Sequence, residues 1–371
     1  MRVCLISASY PPVRCGVGDQ VYLQAERLSA AGESVQVLTS ASVAAPPAAQ
    51  VELLPLQLDW NAARTLELAA HVRRLAPEVV HLHYPALGYG LGLAPNLLFP
   101  ALELTGFRGR RVATLHEYRQ FTWKGKARLW PTLRFAHRLI CTNRLDQKAL
   151  ENDFPSCREK IQIIPLGNPL EAETPEAATG PAATDLVHFG TIMPNKGWED
   201  LLLALARLKG QGRPQRLLAV TALEPEAYAY HRIVKQRIQA LGLEAEVVFT
   251  GYLPAAEAGA ALRSGRIAVQ PYSEGARLNR SSLVAVLAHG LAVISTDPPL
   301  ALEELTANRH FWAVRPRDPV DLAQGILHLL DHPELTASLR REALEVSRAY
   351  FSWERIISLT RGMYRQILAS C

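Results

Sequence analysis

Runs of apolar, β-forming residues alternate along the chain with stretches whose apolar residues recur at helical spacing. Val3-Cys-Leu-Ile-Ser is followed by an amphipathic stretch from about Val17 to Ala31 that stops at Gly32, and then by Ser34-Val-Gln-Val-Leu-Thr. The pattern returns through Val79-Val-His-Leu-His, Arg111-Val-Ala-Thr-Leu-His and Arg138-Leu-Ile-Cys-Thr. Such alternation predicts a parallel sheet covered by helices. Between Asn168 and Asp185 lies a stretch rich in Pro, Ala, Glu and Thr with no apolar period, which reads as a linker over 171–184.

The second half repeats the scheme with Leu186-Val-His-Phe-Gly, a helix from about Trp198 to Leu208, and four further apolar runs. These are Arg216-Leu-Leu-Ala-Val, Ala245-Glu-Val-Val-Phe-Thr-Gly, Ile267-Ala-Val-Gln-Pro and Ala292-Val-Ile-Ser-Thr. The chain therefore predicts two doubly wound α/β domains, 1–170 and 185–350. Ligands of open α/β sheets bind beyond the carboxyl ends of the strands, so two such domains facing one another would enclose a cleft.

Length and composition agree with two folded domains. At 371 residues the chain exceeds what one core usually serves, and 49% hydrophobic with 20% charged residues is the balance of a globular protein. Cys4, Cys15, Cys141, Cys157 and Cys371 show no paired or C-x-x-C spacing, which fits neither a disulfide framework nor a zinc site and implies a reducing compartment. The short apolar run Val3 to Ile6 lacks the length of a signal-peptide core. The longest uncharged segment, Val79 to Leu102, is interrupted by Pro85, Pro95 and Pro100 and makes a poor spanning helix. A cytoplasmic protein is expected, and the net charge of +5 leaves room for an anionic ligand or membrane surface.

Several segments carry candidate chemistry. The first strand runs into Ser9-Tyr-Pro-Pro-Val-Arg-Cys-Gly16-Val-Gly18 directly before a helix, where glycines let backbone amides approach a ligand at the helix N-terminus. A Gly-rich connection without ligand significance is the equal alternative. A nicotinamide dinucleotide fits poorly, because Val21 replaces the third glycine of G-x-G-x-x-G and the second strand ends in Thr39-Ser40 without a ribose-binding acid. His116 closes the run Val112 to Leu115, where the sheet opens to ligand, whereas His81 and His83 share one strand face and read as hydrogen-bonded structural residues. No carboxylate or cysteine accompanies them at metal-ligand spacing.

In the second half, Lys196 of Phe189-Gly-Thr-Ile-Met-Pro-Asn-Lys-Gly197 stands just before a helix, and its ammonium with the free helix amides would make a diphosphate site. A solvated surface lysine is the alternative. The segment Ile267 to Gly290 is the most informative: a strand delivers Glu274 into a Gly-containing loop, and Asn279 or Ser281 can cap the apolar helix that follows. The carboxylate can accept sugar hydroxyls while Arg277, Arg280 and the cap amides oppose phosphate charge.

In the order of these motifs the chain resembles the retaining family-4 glycosyltransferases of GT-B fold, over nearly its full length. The resemblance rests on Pro-Pro-x-x-x-Gly-x-Gly, the His-Leu-His and Thr-Leu-His strand ends, Ile164-Pro-Leu-Gly-Asn168, the Phe-Gly…Lys-Gly loop, Phe249-Thr-Gly251-Tyr, and Glu274 before its helix. It implies Rossmann-like domains, an acceptor on the first, a nucleotide sugar on the second, and a returning C-terminal helix at about 351–371. It also implies catalytic roles for His116 and Glu274, and donor contacts from Gly16, Gly18, Lys196, Gly251, Arg277, Asn279, Arg280 and Ser282. No metal and no cofactor beyond the nucleotide-sugar substrate are expected. The acceptor would be a lipid-linked sugar, a glycan or a small molecule, as in polysaccharide or glycoconjugate biosynthesis.

Two departures from the family pattern stand out. Its paired glutamates, E-x(7)-E, become Glu274 and Ser282, and the arginine after Phe-Gly becomes Thr191. Ser282 can hydrogen-bond a ribose but supplies no carboxylate; Arg277 or Arg280 can take over the missing phosphate contact. Rival readings are a sugar-nucleotide epimerase of the same architecture and a catalytically weak sugar-nucleotide-binding partner subunit. Finally, Arg108 to Arg144 holds ten Lys or Arg against one acid, Glu117, with Phe121, Trp123 and Trp130 interleaved. That composition suits an anionic bilayer, an anionic acceptor or a solvated basic face, and no nucleic-acid recognition motif accompanies it.

Overall fold

The computed structural model describes residues 1–40, 51–57, 59–170, 184–302 and 304–370. The chain divides into two compact units, Met1–Gly167 with Trp353–Cys371, and Asn168–Ser352. The expected linker falls outside the described residues except for Thr184, which opens a strand.

The first unit holds seven parallel strands: β1 (Arg2–Ile6), β2 (Ser34–Ser40), β3 (Val51–Leu56), β4 (Val79–Tyr84), β5 (Arg110–Leu115), β6 (Arg138–Cys141) and β7 (Ile161–Ile163). Their order, β3-β2-β1-β4-β5-β6-β7, reverses direction between β1 and β4. Because side chains alternate along a strand, Val3, Leu5, Val79, Val112 and Ile140 enter one core while Cys4, Ile6, Val80, Leu82 and Ala113 enter the other. The helix Trp353–Ala369 covers the first of these faces beside the helix Gly16–Ala30. It buries Trp353, Ile356, Ile357, Tyr364 and Ile367, a helical stripe in which each large side chain contributes about 1.5–3 kcal/mol.

The second unit holds six parallel strands: β8 (Thr184–Phe189), β9 (Leu217–Val220), β10 (Val247–Phe249), β11 (Gly265–Gln270), β12 (Ala292–Thr296) and β13 (Trp312–Val314). Their order is β10-β9-β8-β11-β12-β13, with the reversal between β8 and β11. β11 and β12 are buried almost throughout, which is why their sequences are near-continuous apolar runs. β3, β7 and β13, absent from the sequence reading, are all edge strands and only partly buried; β7 and β13 are short, and β3 carries Pro55, a residue edges tolerate. Among the described residues no helix is long and apolar enough to cross a membrane.

Candidate active site

In the second unit the strand reversal puts the loops after Phe189 and Gln270 side by side at the carboxyl edge, the place where open α/β sheets bind ligands. The two loops are pressed together. Gly197, at φ +72°, would drive a β-carbon to 1.7 Å from the Pro271 carbonyl oxygen, so only glycine fits there. Ser273 N donates to Asn195 O at 3.3 Å and Ser273 Oγ to Pro194 O at 3.2 Å. This clamp delivers Lys196 at the head of the helix Trp198–Gly210.

Lys196 is buried, and its Nζ donates to Ser282 Oγ at 3.3 Å and lies 5.3 Å from the centre of the Tyr272 ring. Ser282 shares a second hydrogen bond, 2.8 Å, with the hydroxyl of the fully buried Tyr272, whose phenol burial pushes well above its ordinary pKa. Arg280 approaches the same ring at 5.5 Å. It is only 6% exposed, and its Nε and Nη2 make no hydrogen bond among the described residues. Glu274 Oε2 lies 3.0 Å from Arg277 Nη2 and 3.9 Å from Arg280 Nη2. Two guanidiniums thus face one half-exposed carboxylate. Burying a guanidinium without full hydrogen bonding is costly, and an anion offsets that cost.

The structure therefore brings Lys196, Glu274, Arg277, Arg280 and Ser282 into one cluster. Asn279 stands in the same loop with Oδ1 buried and unbonded, and caps nothing. The expected cap by Asn279 or Ser281 is corrected: Arg280 is the N-cap of the helix Ser281–Ala288, with extended backbone and no side-chain cap bond, and Ser281 is already helical. Gly251 follows β10, an edge strand separated from β8 by β9, and its φ of +77° serves a turn with open space around it. Thr191 is exposed. The sequence reading gave no site role to Tyr272, and Gly190 entered it only within the Phe-Gly motif. A β-carbon on Gly190 would lie 3.1 Å from Ser282 Cβ, so the Phe-Gly pair leaves space beside Lys196 and Ser282.

In the first unit the reversal lies between β1 and β4, and the loops following them are joined by a bond from Gly88 N to Ser9 Oγ, 2.9 Å. Gly16 opens the helix Gly16–Ala30 at the surface, and Gly18 packs so close that a β-carbon would sit 3.0 Å from the Ser9 carbonyl. Asp19, in the same first turn, was not singled out from the sequence; burial raises its carboxyl pKa to about 6.

Beside this loop runs a column of histidines on β4 and just beyond β5. His81 Nδ1 contacts Tyr364 Oη at 2.6 Å and its Nε2 contacts Thr114 Oγ1 at 2.7 Å. His83 stacks on His81 with ring centres 4.3 Å apart, and its Nδ1 lies 3.2 Å from His116 Nε2. Burial lowers the pKa of His116 to about 4 and, with the charge of His116, that of His81 to about 3, so both rings are neutral near pH 7. His83 and His116 line a cavity of about 30 Å³, the scale of ordered water and not of a sugar ring. His116 is 6% exposed, and the contact with His83 leaves Nδ1 as the nitrogen not engaged by that partner.

Comparison with known proteins gives this arrangement its class. Residues 15–171 match the family described as Glycosyltransferase Family 4, and residues 183–332 match Glycosyl transferases group 1. The chain carries both domains and is a glycosyltransferase. Its two parallel-sheet α/β domains are those of the GT-B architecture. Mannosylfructose-phosphate synthase of Agrobacterium fabrum is 22% identical over 243 residues, 60% of this chain, which spans about half of that protein, 52%. Glycogen synthase of Mycobacterium tuberculosis is 23% identical, with 98% of this chain and 94% of that protein covered. Among solved structures, sucrose-phosphate synthase from Thermosynechococcus elongatus superposes with a TM-score of 0.79 at 21% identity, covering 100% of this chain and 99% of that one. Anabaena HepE in complex with UDP and glucose gives 0.73 at 17%, covering 99% of this chain and 100% of that one. At these identities the structural likeness shows the fold.

Proposed function

We propose that the second unit binds a nucleotide-diphosphate sugar and that its glycosyl group passes, with retention of configuration and without a metal ion, to a hydroxyl of an acceptor held by the first unit. The observation that carries this reading is the buried Arg280, whose Nε and Nη2 lack hydrogen bonds among the described residues, beside Lys196 at the switch point. In the transfer the bond from the anomeric carbon to the diphosphate breaks, the acceptor oxygen bonds to that carbon, and the acceptor hydroxyl releases its proton. Lys196 and Arg280 meet the charge that develops on the departing diphosphate, which is electrostatic stabilisation by preorganised groups. Glu274, half-exposed and oriented by Arg277, holds hydroxyls of the transferring sugar. His116 acts as a neutral hydrogen-bonding group that orients hydroxyls, since a ring with a pKa of about 4 carries no charge near pH 7. HepE, of the same architecture, was crystallised with UDP and glucose, which supports a uridine or related diphosphosugar.

The acceptor class we favour is a sugar, glycan or lipid-linked sugar in cytoplasmic polysaccharide or glycoconjugate synthesis. Peripheral contact with an anionic membrane is supported by the helix Trp123–Phe135, on which Trp123 and Trp130, seven residues apart and so on one face, are 75% and 54% exposed. The basic stretch is not one surface, however. Lys126 pairs with Asp153 at 2.6 Å, and Arg128 bonds the carbonyls of Leu91 and Gly92. Sedimentation with anionic vesicles should therefore weaken steeply with salt and vanish on Trp123→Ala/Trp130→Ala; equal binding to neutral vesicles removes the membrane contact.

The function is tested by incubating the protein with diphosphosugars and hydroxyl acceptors in the presence of chelator and reading the product anomer by NMR. A product with the donor's configuration supports the reading. Inverted product, or transfer that requires a divalent metal, overturns those parts of it; epimerised sugar formed without acceptor favours the epimerase.

A further inference from the structure

The amino ends of β5, β6 and β7 lie at the opposite edge of the first unit's sheet from the Ser9 and His116 loops, and a second group of charges collects there. A cavity of about 530 Å³ is lined by Arg111, Arg134, His137, Arg138 and Lys160, with Glu103 and Glu159 as its only acids. Four of these groups are Lys or Arg, against two carboxylates.

Part of the positive charge is compensated. The buried Arg111 pairs with Glu103 through Nη1 and donates from Nε to Phe135 O at 3.0 Å. Lys160 Nζ donates to the carbonyls of Arg134, 3.1 Å, and Leu133, 3.4 Å, in the last turn of the helix Trp123–Phe135. The remainder is not. Arg138 donates only to the neighbouring His137 carbonyl at 3.1 Å, and Arg134 lies over the Phe135 ring at 5.6 Å. Two guanidiniums outside any ion pair among the described residues thus border a concavity large enough for a phosphorylated small molecule.

We propose that this cavity is a second anion site, taking a phosphate monoester or diphosphate and distinct from the donor site of the other unit. Guanidinium forks match phosphate oxygens two at a time, so Arg134 and Arg138 supply the binding contacts while Arg111 and Lys160 add charge. The site stands at the wrong edge of the sheet to hold a reacting sugar, since ligands undergoing reaction in such folds lie at the carboxyl edge. Its ligand is a regulator or a remote anchor of the acceptor.

His137 reports on the site. Burial first, then Arg111 and Arg110 from β5 and Lys160 before β7, lower its pKa to about 4, while Glu103 from the helix Ala94–Leu104 opposes them; Arg138 and Arg134 also border the cavity. Arg111 N donates to His137 Nδ1 at 3.0 Å, which fixes the ring and favours its neutral form with or without ligand. A bound dianion offsets the surrounding cations and raises that pKa toward its ordinary value.

The experiment is a pH titration of the full-length protein with isotope-labelled histidine. The His137 resonance is identified by its loss in His137→Asn, and pyrophosphate is compared with chloride at matched ionic strength. Pyrophosphate should raise the His137 midpoint by about one pH unit, a tenfold change in proton affinity. Arg134→Gln/Arg138→Gln should abolish the shift without lowering the thermal midpoint of the ligand-free protein, and Lys196→Gln, in the other unit, should leave the shift intact. Vesicles rich in phosphatidic acid, a phosphate monoester, that reproduce the shift identify a lipid headgroup as the source, and a shift from pyrophosphate alone identifies a free ligand. No shift with either, or one that survives loss of both arginines, overturns the proposal.

Discussion

Lys196 and Ser282 are joined directly, Nζ to Oγ at 3.3 Å, and the serine passes the connection to the buried Tyr272 hydroxyl at 2.8 Å. The serine that stands where the family pattern has a glutamate is therefore part of a chain that positions the ammonium and leaves its charge available to an anion. A carboxylate at that position would neutralise it.

From this relationship Ser282→Glu should weaken binding of a diphosphosugar about tenfold or more, which is ~1.4 kcal/mol, because the new carboxylate engages Lys196 beside Gly190. Ser282→Ala should instead destabilise the fold by about 1–2 kcal/mol, since it strips the buried Tyr272 hydroxyl of its partner. Calorimetric titration and urea denaturation read the two effects. Tighter donor binding in Ser282→Glu would mean that the serine is a simple loss.

The roles proposed for His116 and Glu274 predict a separation of chemistry from binding. His116→Ala should lower kcat by an order of magnitude or more and change donor affinity little, because an interaction that strengthens in the transition state acts on the rate. Glu274→Ala should impair both if, as proposed, the carboxylate holds sugar hydroxyls before and during transfer. Steady-state kinetics with donor titration decide this once each variant is shown to fold; His116→Ala within about twofold of wild type, only ~0.4 kcal/mol, removes the histidine from the reaction.

Asp19 and the histidine column give opposite pH signatures. The Asp19 carboxyl, raised to about 6, binds its proton more tightly folded than unfolded, so its contribution is full below the unfolded value and is lost as pH rises through about 6. His81 and His116, lowered to about 3 and about 4, bind protons more tightly unfolded, so their contribution is present above about 6.5 and is lost as pH falls. Asp19→Asn should accordingly raise stability at pH 8 by ~3 kcal/mol and change it far less at pH 4. Thermal midpoints across that range provide the check, and a variant less stable than wild type at pH 8 contradicts the assignment.

How much of this was legible in the sequence follows from burial. β1, β4, β11 and β12 are buried on both faces, so each had to be an apolar run and was readable as a strand. β3, β7 and β13 face solvent along one edge and carried no such signal. Lys196, Glu274, Arg277, Arg280 and Ser282 were readable because their residue types at a strand-to-helix junction exceed what packing needs. Tyr272 was not, since an aromatic after a strand reads as core until its hydroxyl is seen to bond Ser282. Asp19 was missed because an acid in a first helical turn ordinarily complements the helix dipole, and its burial depends on tertiary contacts. The Asn279 cap failed because the chain turns into the helix at Arg280, one residue later than the cap preference suggested.

The central claim, that Lys196 and Arg280 form a metal-independent site for the diphosphate of a sugar nucleotide, is tested most directly by calorimetric titration with UDP- and GDP-sugars in excess chelator. Wild type is compared with Arg280→Gln. Wild type should bind at least one such donor with chelator present, and Arg280→Gln should bind it ten- to a hundredfold more weakly, about 1.5–3 kcal/mol for a charge-assisted hydrogen bond. Binding that chelator abolishes, binding of dinucleotides alone, or affinity unchanged in Arg280→Gln would contradict the account.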